Sequence, residues 1–73
     1  MPSRAEIGRR LKNLREQRNM LRKEVCSAIG ITDSALSMYE SGERVPRDEI
    51  KVEFAKLFGL TVQEIFFDNL AHI

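Results

Sequence analysis

Apolar residues recur with the spacing of an α-helix from the start of the chain. They stand at i, i+4 and i+7, at Ile7, Leu11 and Leu14. Arg and Lys occupy most positions around this stripe, as in an amphipathic helix with one buried face. Ser3 and Glu6 predict its start as a capping box. Asn19 predicts its end, because Asn tolerates the left-handed conformation of a helix C-cap.

Two short helices are predicted next. Val25 and Ile29 lie one turn apart, and Gly30 follows them as a stop signal. Thr32 then predicts the N-cap of a third helix, because its hydroxyl can accept a free backbone N–H. That helix covers about 33–40, with Leu36 and Tyr39 on its inner face, and it ends at Gly42.

The last part of the chain predicts two further helices. The fourth covers about 47–58, after Pro46 and with acidic residues in its first turn. Its apolar face consists of Ile50, Phe54, Leu57 and Phe58. Gly59 ends it, and Thr61 caps a short fifth helix that contains Ile65 and Phe66. No segment alternates with period two, so the predicted fold class is all-α.

The length predicts one domain. The chain has 73 residues, 42% of them hydrophobic, which is near the lower limit for a single core. We expect a core over about 5–67 and a C-terminal extension over 68–73. The apolar runs are too short to span a membrane, and the N-terminus lacks the apolar segment of a secretory signal. These features predict a cytoplasmic protein without a separate small-molecule domain.

Charge is distributed unevenly although the net charge is only +1. Residues 4–23 contain eight positive residues and two negative ones, and the rest of the chain contains four positive and nine negative. A basic half beside an acidic half fits a face that meets a polyanion. An ordinary solvated helix face would look the same, and charge alone does not separate the two interpretations.

Catalytic and metal-binding chemistry is poorly represented. Cys26 is the only cysteine and His72 the only histidine, so neither a disulfide within the chain nor a zinc site is predicted. There is no nucleophile–base pair and no glycine loop that could hold a phosphate. We therefore predict no catalytic residue, no metal, no cofactor and no enzymatic activity.

The second and third predicted helices have the spacing of a helix-turn-helix. A small residue, Cys26, stands where the helices would cross closely, and Gly30 follows where the turn needs positive φ. With Leu36 and Tyr39 inside, the 3.6-residue period fixes the outer face of the third helix. Two pairs lie there one turn apart, Asp33 with Ser37 and Ser34 with Met38. These slim side chains would let the helix enter a major groove deeply.

Three stretches carry a resemblance to a known family: "RLKNLREQRNM", "EVCSAIGITDSALSMYESGERVP" and "FAKLFGLTVQEIF". They resemble the phage repressor/Cro-type helix-turn-helix regulators, also called the xenobiotic-response-element family. The resemblance covers about Ile7 to Phe67. It implies a five-helix, lambda-repressor-like domain that binds double-stranded DNA through its third helix, and it implies a structural ion pair between Arg15 and Glu40.

The resemblance also implies a set of DNA contacts. The positions that match are Arg22, Thr32, Asp33, Ser34, Ser37, Met38 and Arg44. Some of these would hold phosphates and give affinity, and others would meet base edges and give sequence choice. The implied function is a transcriptional regulator, expected to be a repressor.

Several positions depart from the family pattern or are unusual for a DNA-binding face. Leu21-Arg22 stands where relatives commonly have Ser or Thr followed by Gln. Arg22 can clamp a phosphate or read a guanine. Asp33 would face a polyanion, which is unfavourable unless it accepts from a cytosine amino group or orients an arginine such as Arg22. Met38 offers only an apolar contact, for example to a thymine methyl group.

One such domain makes few DNA contacts, so we expect a homodimer on a palindromic operator. Phe67, Leu70 and Ile73 are the candidate interface residues, while Ile65 and Phe66 are expected in the core. The alternative is a module of the same fold that acts mainly through protein–protein contacts, antitoxin-like or coactivator-like. The apolar C-terminus and Asp33 motivate that alternative.

Overall fold

Five helices make up the part of the chain that the structure describes. The computed structural model describes residues 2–68. The helices are α1 (Arg4–Gln17), α2 (Arg22–Ile29), α3 (Asp33–Ser41), α4 (Asp48–Phe58) and α5 (Gln63–Phe67), the last a short π-helical turn. Residues 2–68 contain no β-strand, which confirms the all-α prediction. None of the helices in this range is long and apolar enough to cross a membrane.

The first helix begins as predicted but with only half of the capping box. Ser3 Oγ accepts the N–H of Glu6 at 3.1 Å. The Glu6 carboxylate does not return a bond to Ser3, so that half of the prediction is wrong. The helix ends at Gln17, two residues before Asn19, and Asn19 takes the predicted left-handed conformation with φ 54° in the link to α2.

The helix-turn-helix is closed by its predicted glycine and cap. Gly30 has φ +83°, and Thr32 Oγ1 accepts the N–H of Ala35 at 3.0 Å. Leu21 carries no side-chain acceptor, and Glu24 caps the start of α2 instead by accepting the N–H of Leu21 at 2.6 Å. Helix α3 extends one residue beyond the predicted 33–40.

The boundaries of the last two helices differ slightly from the prediction. Arg47 is the N-cap of α4 rather than its first residue. Before α5, Thr61 and Glu64 form a reciprocal capping box, with the Thr61 N–H donating to Glu64 Oε1 at 2.9 Å and the Glu64 N–H donating to Thr61 Oγ1 at 3.0 Å. The predicted cap at Thr61 is therefore confirmed.

A single core joins all five helices. Its buried hydrophobic residues are Ile7, Leu11, Leu14, Val25, Leu36, Phe54, Ala55, Phe58, Ile65 and Phe66. Phe54 touches the rings of Tyr39, Phe58 and Phe66 at centroid distances of 6.2, 6.1 and 6.4 Å. The prediction that Ile65 and Phe66 fill the core is confirmed.

Helix α1 crosses α3 so closely that only glycine fits at the contact. A Cβ on Gly8 would lie 2.4 Å from the carbonyl oxygen of Glu40 and 2.8 Å from that of Tyr39. Both neighbours are backbone atoms, which cannot rotate away. Gly8 therefore sets the distance between α1 and the proposed recognition helix, a role that the sequence analysis did not assign.

Two arginines of residues 4–23, which we call the basic segment, stabilise the fold. Arg10 is only 6% exposed and donates through Nη1 to the carbonyl oxygen of Ile65 at 3.0 Å. Arg18 donates through Nη2 to the carbonyl oxygen of Phe58 at 2.7 Å, and its guanidinium lies 5.2 Å from the centroid of that ring. These cations hold helix C-termini, so the basic segment does not form one uniform face toward a polyanion.

Candidate nucleic-acid interface

The outer face of α3 carries small side chains. Asp33, Ser34 and Ser37 are exposed and Met38 is half-buried. Leu36 on the opposite face is fully buried, which fixes the rotation of the helix. The structure thus brings these four predicted contact residues together on one rigid surface, which we call the α3 face.

The guanidinium of Arg22 lies across the α3 face. Its Nε donates to Asp33 Oδ1 at 3.0 Å, and its Nη2 donates to the carbonyl oxygen of Asp33 at 3.2 Å and to the hydroxyl of Ser37. Its Nη1 reaches Glu40 Oε1 at 3.3 Å. Four of the five N–H groups of Arg22 are therefore occupied. Arg22 links the start of α2 to both exposed turns of α3.

This arrangement bears on the two alternatives left open for Arg22. A guanidinium reads guanine bidentately through two free N–H groups on one edge. In Arg22 the edge formed by Nε and Nη2 is taken by Asp33 and Ser37. The arrangement in the structure is the one in which Asp33 orients Arg22.

Arg15 and Glu40 form a bidentate ion pair between α1 and α3. Arg15 Nε lies 2.8 Å from Glu40 Oε2, and Arg15 Nη2 lies 3.2 Å from Oε1. The side chain of Glu40 is only 6% exposed. The hydrogen bond to Glu40 raises the pKa of Arg15 above its usual value. The pair fixes α1 to the C-terminal end of α3 with the planar geometry of a fork on a carboxylate.

An open cleft borders this ion pair between α1, α2 and α3. Its lining residues are Lys12, Arg15, Arg22, Ser37, Glu40 and Ser41. Three cations and two hydroxyls surround one carboxylate that both arginines already bind. The residues that line the cleft therefore carry a net positive charge. Sequence reasoning did not single out Lys12 or Ser41, since Lys12 looked like any other member of the basic segment.

The remaining predicted contact residues flank the α3 face. Arg44 is exposed in the loop after α3. Thr32 is exposed, and its hydroxyl already accepts the N–H of Ala35. Leu21, at the start of α2, exposes 57% of its surface. An apolar side chain thus stands at the N-cap of α2, where the family resemblance implies a capping hydroxyl.

Cys26 packs partly against the core beneath this surface. Burial raises the pKa of its thiol, and the carboxylate of Asp33 raises it further. A thiol with a raised pKa stays protonated and is a poor nucleophile near neutral pH. Cys26 therefore serves as the small packing residue that the helix-turn-helix spacing suggested.

The candidate dimer residues are only partly covered by the structure. Phe67 is half-buried, and Lys51 Nζ lies 5.1 Å from its ring centroid. Leu70 and Ile73 lie outside the described residues.

Comparison with known proteins identifies the class. A family model described as helix-turn-helix matches residues 11–65, so the chain belongs to the helix-turn-helix family. It is a member of the phage repressor/Cro type with a lambda-repressor-like helical domain, as its sequence motifs predicted. Helix-turn-helix domains of this type place their second helix in the major groove of DNA, and the chain contains such a domain.

The chain is also similar to a known phage protein. The chain is 28% identical over 64 residues to the cryptic phage CTXphi transcriptional repressor RstR of Vibrio cholerae. The match covers 88% of this chain and 58% of that repressor, so the chain spans less than two thirds of the relative's length. No solved structure matches the chain significantly.

Proposed function

We propose that the protein is a repressor that binds a palindromic operator as a homodimer, with α3 of each subunit in the major groove. The observation that carries this proposal is the α3 face, where exposed, slim side chains stand on a helix locked by Glu40 and Gly8. Such a helix can approach base edges without moving its neighbours. The likeness to a phage transcriptional repressor supports repression as the outcome.

The side chains divide into base contacts and phosphate contacts. Ser34 and Ser37 can bond to base edges, and Met38 offers an apolar contact to a thymine methyl group. Lys12 in the cleft and Arg44 in the loop flank the α3 face and are suited to the two phosphate backbones beside it. Phosphate contacts fix register, while the α3 face reads sequence.

A dimer follows from the small number of contacts that one domain offers. We assign its interface to Phe67, Leu70 and Ile73. Two-fold symmetry in the protein would match half-sites about one helical turn apart.

The protein–protein alternative draws support from the exposed apolar residues. Leu21 and Val52 both present large hydrophobic side chains to solvent. Leu21 stands beside the α3 face, where a DNA backbone would pass. A partner protein would bury such residues, and the resulting complex would respond weakly to salt.

A salt titration on selected DNA tests the proposal. DNA selected from a random pool by the purified protein should carry a two-fold symmetric motif, and its affinity should fall steeply with salt as phosphate counterions are released. Lys12→Ala should flatten the slope of log K against log salt by about 1 and weaken all sequences alike. Lys56→Ala is the matched control, because Lys56 is an exposed lysine on α4 that pairs with Glu53.

Two results would count against the proposal. The first is a random DNA pool that yields no motif, which is expected if the protein acts through a protein partner. Equal slopes of log K against log salt for Lys12→Ala and Lys56→Ala would show that the cleft does not contact phosphates.

A further inference from the structure

The α3 face contains one feature that attraction to phosphates does not explain, a carboxylate at its N-terminal end. Asp33 is the first residue of α3, and its side chain is 71% exposed. A lone carboxylate there would be repelled by the phosphates on both sides of the groove. Asp33 is instead paired with Arg22, whose Nε lies 3.0 Å from Oδ1.

The pairing leaves Asp33 with a free acceptor. Oδ1 accepts from Arg22, and Oδ2 has no partner among the described residues. Arg22 is held from four directions, by two groups of Asp33, by Ser37 and by Glu40. The cation is thus anchored in the protein, while Oδ2 belongs to a side chain that is 71% exposed.

We propose that Asp33 reads a cytosine in each operator half-site by accepting a hydrogen bond from the N4 amino group, and that Arg22 is the residue that positions and neutralises it. This inference rests on the proposed function. In the complex with DNA, the bonding partner of Arg22 is then Asp33 rather than a guanine or a phosphate.

The chemistry of the major groove selects cytosine. Cytosine presents only the N4 amino donor there, whereas guanine and thymine present acceptors that repel a carboxylate. Adenine presents a donor at N6 beside an acceptor at N7, so a carboxylate meets both attraction and repulsion. An ionised carboxylate accepts but cannot donate, so cytosine is the base that it fits.

Ser37 extends the same reading surface by one turn. Its hydroxyl oxygen accepts from Arg22, so its own proton remains available to a base acceptor. Asp33 as acceptor and Ser37 as donor therefore form a fixed pair on the α3 face, with Arg22 between them.

The test compares base preferences position by position. On every single-base variant of the selected motif, the wild-type protein should prefer cytosine by about tenfold at one position of each half-site. Asp33→Asn should transfer that preference to adenine, because asparagine can both donate and accept toward N6 and N7. Arg22→Ala should erase the preference at this position, weaken the preference at the position read by Ser37, and leave the preferences elsewhere in the motif intact, which a loss of folding would not do.

Glu53→Gln is the matched control, since it removes one negative charge from α4 without touching the α3 face. Its base preferences should equal those of the wild type. Thermal melts of all variants establish that the domain is folded.

Three results would overturn the inference. One is an Asp33→Asn protein with every base preference unchanged. Another is an Asp33→Asn protein with equally raised affinity for all sequences, which would reduce Asp33 to a repulsive charge. A wild-type protein that selects no motif at all would overturn the proposed function as well, and that outcome is distinct because it appears before any variant is made.

Discussion

Replacing Glu40 with alanine is expected to lower the free energy of unfolding by about 3–5 kcal/mol, because it leaves the largely buried Arg15 without its partner. Glu40 receives two hydrogen bonds from Arg15 and one from Arg22. The Arg15 side chain is itself only 12% exposed, so water cannot replace the lost carboxylate well. For a domain of this size, the midpoint of thermal unfolding should fall by at least about 12 °C.

Chemical and thermal denaturation of three variants measure this effect. Glu43→Ala is the matched control, because Glu43 is an exposed glutamate in the loop just after α3. It should change stability by less than about 0.5 kcal/mol. Arg22→Ala should cost much less than Glu40→Ala, since Glu40 keeps its bidentate bond to Arg15. Equal stability of Glu40→Ala and Glu43→Ala would contradict the role given to the ion pair.

Gly8→Ala is expected to destabilise the protein by about 1–3 kcal/mol through overpacking. The added Cβ would lie 2.4 Å from the carbonyl oxygen of Glu40, and α1 and α3 would have to separate. The sign of the effect is informative. Within a helix, the change from glycine to alanine normally stabilises by about 0.5–1 kcal/mol. A loss of stability can therefore come only from the contact between the helices.

The control for this prediction lies on the same helix. Asn13→Ala changes an exposed residue of α1 and should be neutral or slightly stabilising. We also expect Gly8→Ala to bind operator DNA less tightly at temperatures where it remains folded, because α3 shifts relative to α2. A Gly8→Ala protein that is more stable than the wild type would show that α1 and α3 do not meet as closely as described.

Local sequence patterns are enough to predict the helices and their order along the chain. The stripe Ile7, Leu11 and Leu14 is buried in α1, and Gly30 and Thr32 close the helix-turn-helix as their chemistry requires. These features depend on neighbours in sequence. A single chain therefore displays them without any knowledge of tertiary contacts.

Contacts between residues that are distant in the sequence were harder to predict, because local patterns indicate them only weakly. Gly8 in a helix looks like a slightly unfavourable residue, and nothing local indicates that the backbone of Glu40 lies against it. Arg10 and Arg18 looked like members of a solvated basic face, yet both donate to carbonyl groups more than thirty residues away. An arginine that holds a helix C-terminus and one that meets solvent have the same local pattern.

The α3 face was predictable in composition but not in its internal bonding. The 3.6-residue period places Asp33 and Ser37 one above the other. The position of Arg22 across both of them depends on the crossing of α2 and α3, which the sequence indicates only through Cys26 and Gly30. Because of that crossing, Arg22 bonds to both Asp33 and Ser37 and holds them as a fixed acceptor and donor.

The most direct measurement of the central claim is dimethyl sulfate protection of selected operator DNA by the protein. The reagent methylates guanine at N7, which lies in the major groove. We predict protected guanines in two symmetric patches about one helical turn apart, one for each α3. The protection should weaken in Ser37→Ala and persist in Lys56→Ala. Full reactivity of every guanine under saturating protein would contradict the claim that α3 enters the major groove.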